Sequence, residues 1–111
     1  MEKLDKYRKI IVEMLDQYSV SSRSEPDVDV QAVVDKEHDH YQIMHVGWAN
    51  KRRIYGCILH MDIKNQKVWI QHNGIESDVA KELLEAGVDR EDIVIGFHSP
   101  HKRKISGYGV G

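Results

Sequence analysis

The chain has one cysteine, Cys57, so it cannot close a disulfide within itself. It has no apolar run near the roughly 18 residues of a membrane span. Its first stretch, MEKLDKYRK, is charged throughout and has no apolar centre, which argues against a secretory signal. These absences lead to the expectation of a cytoplasmic protein with no membrane contact. A positive surplus is also missing: 16 Lys and Arg stand against 18 Asp and Glu, a net charge of −2. Domains that bind nucleic acid usually carry a basic excess, because neutralising phosphate supplies most of their affinity. There is no glycine loop for phosphate either. Gly107, Gly109 and Gly111 end the chain with no helix after them. The helical H-E-x-x-H pattern of zinc proteases does not occur.

What remains is one domain over residues 1–111, 41% hydrophobic and 31% charged, long enough to bury a core unaided. Leu4, Tyr7, Ile11, Met14, Leu15 and Tyr18 recur at helical spacing and predict a helix over 3–18. SVSSRSEP, residues 19–26, reads as a loop, with Pro26 forcing an extended residue before it. Four strand signals follow: 28–34, 41–48, 54–63 and 68–72. Lys64-Asn65-Gln66-Lys67 reads as a two-residue hairpin turn, since Asn65 tolerates left-handed backbone. That turn pairs Ile63 with Val68, Asp62 with Trp69, Met61 with Ile70 and His60 with Gln71. Glu76 to Ala86 predicts a second helix stopped by Gly87. Residues 93–97 read as a brief strand or extended segment, and the polar, glycine-rich end as mobile. The pattern is α+β: a mainly antiparallel four-stranded sheet, with N-terminal and C-terminal helices packed on one face, in the order α-β-β-β-β-α.

Pairing Trp48 with Arg53 sets Val46 opposite Tyr55 and Met44 opposite Cys57, on the helix side of the sheet. The far face then holds Tyr41, Ile43, His45, Ile54, Ile58, His60, Asp62 and Trp69. Apolar and aromatic groups mixed with a few polar ones suit a protein interface, with a partner or a second copy of the chain; the alternative is that a helix or the C-terminal segment folds over that face within one monomer.

The stretch DKEHDHYQIMHVGW, residues 35–48, places His38, His40 and His45 within eight positions. On one strand His38 and His40 share a face and His45 takes the other, so three ligands do not converge on one metal. No metal or cofactor is expected. His45, His60 and Asp62 could orient a general base, and Asp62-Ile63-Lys64 imitates part of a nuclease motif. Polar contacts within an interface explain the same residues without chemistry, so catalytic residues are not assigned. Cys57, on the core side, reads as a small apolar group. Lys51, Arg52, Arg53, Lys102, Arg103 and Lys104 are the available phosphate contacts.

MEKLDKYRKII, DHYQIMHVGW, RRIYGCILHMDIKN, KVWIQHNGIE and GVDREDIVIGFHSPHKRK together resemble the XisI family, the fdxN-element excision controlling factors. The resemblance departs at Gln66, where glycine is usual after Asn65, at Asp89, where proline is usual, and in the glycine-rich end. It implies a regulatory factor for excision of a DNA element by a site-specific recombinase. It implies an XisH-like protein as partner, and it carries over no catalytic residues. Direct binding to the recombinase or to DNA is the weaker expectation.

Overall fold

The computed structural model describes residues 2–21 and 25–111. Helix α1 (Lys3–Ser21) leads into strands β1 (Val28–Asp35), β2 (His40–Ala49), β3 (Arg52–Lys64) and β4 (Lys67–Asn73). Helix α2 (Val79–Ala86), a 3₁₀ turn (Arg90–Asp92), strand β5 (Ile93–Ile95) and the short helix α3 (Pro100–Arg103) complete the chain. The helix therefore runs into the expected loop as far as Ser21, and residues 22–24 of that loop lie outside the described residues.

The sheet has five strands in the order β1-β2-β3-β4-β5, one more than expected. β1 to β4 form an antiparallel meander, while β5 lies parallel to β4. A parallel neighbour needs a crossover, and α2 supplies it. Asp78 caps α2 by accepting from the Lys81 amide, and Gly87 ends it in left-handed backbone with φ of 119°. Ile10, Ile11, Met14 and Leu15 of α1, with Val79 and Leu83 of α2, close over Tyr41, Ile43, Leu59, Met61, Ile63, Val68, Ile70 and Ile93. Both helices therefore cover one face.

Both long hairpins turn through two residues in left-handed backbone: Asn50 and Lys51 (φ 50° and 66°), then Asn65 and Gln66 (φ 54° and 64°). These signs match the right-handed twist of the flanking strands. An L-residue other than Asn or Asp is strained there by roughly 1 kcal/mol. Gln66→Gly is thus expected to stabilise the fold by about 0.5–1 kcal/mol, seen as a higher urea midpoint at unchanged slope.

The β3–β4 pairing follows the expected register from Lys64↔Lys67 to Met61↔Ile70, then shifts, so that His60 faces His72 rather than Gln71. On β2–β3 the pairs Trp48↔Arg53, Val46↔Tyr55 and Met44↔Cys57 form as expected. Then Ile43 pairs with Leu59, leaving Ile58 as an extra residue. That bulge shifts the pairing by one and exchanges the faces beyond it. Tyr41 and Ile43 are therefore core residues, at 0% and 1% exposure, and not part of the far face. By alternation His45 shares their side. Together with Ile58 it lines a hollow beside Tyr18 and Ser21 of α1. Met44, Val46, Tyr55 and Cys57 move the other way, onto the face without helices.

Among the described residues the C-terminal end is packed, contrary to the expected mobility. The Gly109 amide donates to the Ile93 carbonyl, running the tail along β5. A Cβ at Gly109 would stand 2.2 Å from the Glu91 carbonyl oxygen, so glycine is what lets the tail approach.

Candidate functional site

The far face of the sheet divides into three zones. At the β4–β5 edge lies Trp69, only 7% exposed. Its indole nitrogen donates to the Lys64 carbonyl at 3.1 Å. The Lys64 ammonium lies 4.6 Å and the Arg103 guanidinium 5.0 Å from its ring. Gly111 also lies against the ring, and Lys67 holds the Gly111 carbonyl at 3.2 Å. The chain's own tail thus covers the tryptophan expected to meet a partner.

The second zone is polar. His40 on β2 is the cross-strand partner of Asp62 on β3, and His60 lies two residues along the same strand. His40 Nδ1 and His60 Nε2 each lie 2.8 Å from the same Asp62 oxygen, Oδ1. An ionised carboxylate only accepts, so both ring nitrogens donate. The Gln71 amide donates to the other oxygen, Oδ2, at 3.3 Å. Burial pushes the Asp62 pKa up, but the hydrogen bonds from His40 and His60 outweigh it and leave the carboxyl below its usual range. The bond to Asp62 raises the pKa of His40. His45, expected beside His60 and Asp62, is on the helix side instead. The three residues weighed as a nuclease group do not meet. Lys64 is committed to the Trp69 ring, and Cys57 is half-buried with its thiol pKa raised by burial, which disfavours a thiolate.

The third zone spans β1 to β3 and carries the exposed apolar groups. Trp48 is 55% exposed and Tyr55 69% exposed, with Val33 also open. The Arg53 guanidinium lies 5.7 Å from the Trp48 ring and 5.9 Å from the Tyr55 ring, joining the two aromatics through one cation. Met44, Val46 and Cys57 are half-buried on the same side. Among the described residues no helix lies over this zone. Sequence reasoning missed Trp48 and Tyr55 because it assigned Val46 and Tyr55 to the core side.

Of the expected far-face group, His60, Asp62 and Trp69 share the open side. Ile54, Ile58 and His45 belong to the helix side, and Tyr41 and Ile43 to the core. The basic residues lie on different elements: Lys51, Arg52 and Arg53 at the β2–β3 turn, and Lys102, Arg103 and Lys104 in and just after α3. Arg103 also donates to the His98 and Gly96 carbonyls at 3.0 and 3.3 Å, so it is a structural cation.

The sequence matches the XisI protein family over residues 1–110. The chain belongs to the XisI family. A XisI-like protein of Anabaena variabilis has a crystal structure that superposes with a TM-score of 0.92 at 44% identity, covering 97% of this chain and 99% of that one. The fdxN element excision controlling factor XisI of Anabaena variabilis superposes with a TM-score of 0.86 at 34% identity, covering 99% of this chain and 100% of that one. No curated protein sequence matches the chain. Among the described residues no helix is long and apolar enough to cross a membrane.

Proposed function

We propose that this XisI-family protein is a non-catalytic accessory factor that controls site-specific excision of a DNA element by holding a partner protein, an XisH-like chain, against the open part of its sheet. The role in excision rests on the related fdxN element excision controlling factor. The mode of action rests on one observation: two large aromatics, Trp48 and Tyr55, stand exposed on a rigid sheet with Arg53 between them. Trp, Tyr and Arg are the residue types that dominate binding energy at protein interfaces. Strands hold them at little further cost in ordering, which favours affinity.

Trp48→Ala is expected to weaken association with the XisH-like partner by about tenfold, roughly 1.4 kcal/mol, in a calorimetric titration. Unchanged affinity in this variant removes the zone from the contact. Sedimentation of the chain alone separates this reading from self-association through the same face. Direct action on DNA is the competing mode, carried by Lys51, Arg52, Arg53, Lys102, Arg103 and Lys104. It requires a gel shift that fades steeply with salt. Two of its six cations, Arg53 and Arg103, already serve aromatic rings and carbonyls within the chain.

A further inference from the structure

His40, His60 and Asp62 offer three ligand atoms that all lie within 4.8 Å of one another. We propose that this triad binds a divalent transition-metal cation of the zinc class, with a fourth coordination position open. The inference is independent of the partner reading above.

The backbone builds the convergence. His40 and Asp62 are directly opposed on neighbouring strands, and His60 alternates onto the same face of β3. Sites carried on paired strands hold their ligands more firmly than sites on loops. Both imidazole nitrogens already point at a single carboxylate oxygen from 2.8 Å. A tetrahedral ion with metal–nitrogen bonds of roughly 2.0–2.1 Å needs ligand atoms about 3.3 Å apart. The two nitrogen–oxygen contacts lengthen by about half an ångström, and the nitrogen–nitrogen separation, within 4.8 Å, adjusts to the same value through side-chain rotation.

The donor set selects the ion. Two imidazoles with one carboxylate suit zinc, cobalt or nickel, whereas calcium and magnesium prefer all-oxygen shells. On binding, each neutral ring carries its proton on the far nitrogen, His40 on Nε2 and His60 on Nδ1, so two proton donors become two lone-pair donors. Gln71 holds Oδ2 of Asp62 and leaves Oδ1 for the ion, the second-layer arrangement usual around metal carboxylates. Asp35, the other cross-strand partner of His40, adds negative charge nearby. His40 itself is exposed, which gives an ion a way in.

The test uses the full chain stripped of metal with a chelator. Cobalt(II) is titrated in and followed by its visible absorption, then displaced with zinc, and zinc binding is measured by calorimetry. One ion per chain is expected, with the intense bands of four-coordinate cobalt. His40→Ala, at an exposed position that the core does not need, is expected to weaken binding at least tenfold. Asp62→Asn is expected to do the same while keeping side-chain shape. His38→Ala, on the adjoining turn and paired with Asp35 instead, is expected to leave binding unchanged. Circular dichroism confirms that each variant is folded. No saturable binding by the parent chain, or equal binding by folded His40→Ala, overturns the proposal.

Discussion

Replacing Trp69 with alanine is expected to cost the fold about 3–4 kcal/mol, measured as a lower midpoint in urea unfolding followed by circular dichroism. The indole is 7% exposed and fills the space between β4 and the C-terminal tail. Removing it leaves a cavity and deprives the Lys64 carbonyl of its donor. It also releases two cations, Lys64 and Arg103, from the ring face, and takes away the surface against which Gly111 rests. The tail beyond Arg103 is expected to become sensitive to protease in this variant before the rest of the chain. Trp48→Ala is the contrast. With Trp48 55% exposed on the open face, its loss is expected to change stability by less than about 1 kcal/mol. Two tryptophans on the same side of one sheet thus have separable roles, and the pair of unfolding curves distinguishes them. Equal losses in the two variants would mean that the tail does not hold Trp69 in solution.

The order of the first helix, four strands and second helix and the turn at Asn65 were legible because alternation and turn chemistry agree there, with matching apolar positions on either side; the Asn50–Lys51 turn was only implied by pairing Trp48 with Arg53. The faces of the sheet were legible only from the Asn65 turn back to Leu59; before Ile58 they were exchanged. The run Gly56 to Ile63 is apolar at most positions, so one extra residue within it leaves no mark on the pattern. Without the bulge, Asp62 falls opposite Asp39; with it, Asp62 falls opposite His40. A one-residue shift thus conceals the His40–Asp62–His60 group and sends Tyr41 and Ile43 to the wrong side. β5 was only half legible. Three residues are too few to show a period, and its parallel pairing depends on where α2 returns the chain. The glycines of the tail read as freedom, yet Gly109 is small because a neighbouring carbonyl leaves no room. Composition reports flexibility and close approach with the same residue, and only the contacts decide between them.

Asp92→Ala is expected to cost about 2–3 kcal/mol near neutral pH, and the loss is expected to shrink in acid. Asp92 is buried at the base of β5, where it accepts from the Tyr7 hydroxyl at 2.7 Å and pairs with the Lys3 ammonium, both from α1. The Asp89 amide donates in turn to the Tyr7 oxygen at 3.3 Å. One carboxylate thereby latches the first two turns of α1 to the segment that leads into the parallel strand. Burial pushes its pKa up, but the hydrogen bonds from Lys3 and Tyr7 outweigh burial and hold it below the ordinary carboxylate value. The unfolded chain therefore takes up this proton more readily than the folded one. The latch's contribution is complete above the unfolded value of about 3.9 and is lost as pH falls through the lower folded value. Tyr7 behaves in the opposite sense. Burial and the bond to Asp92 raise its pKa, so its share is complete below about pH 10 and is lost as pH rises through the folded value. Urea unfolding of the parent chain and of Asp92→Ala at neutral pH and at about pH 3 separates charge from packing. A gap between the two proteins that narrows in acid identifies the ionised carboxylate as the stabilising group. A gap of constant width assigns the whole cost to lost packing at the end of the 3₁₀ turn.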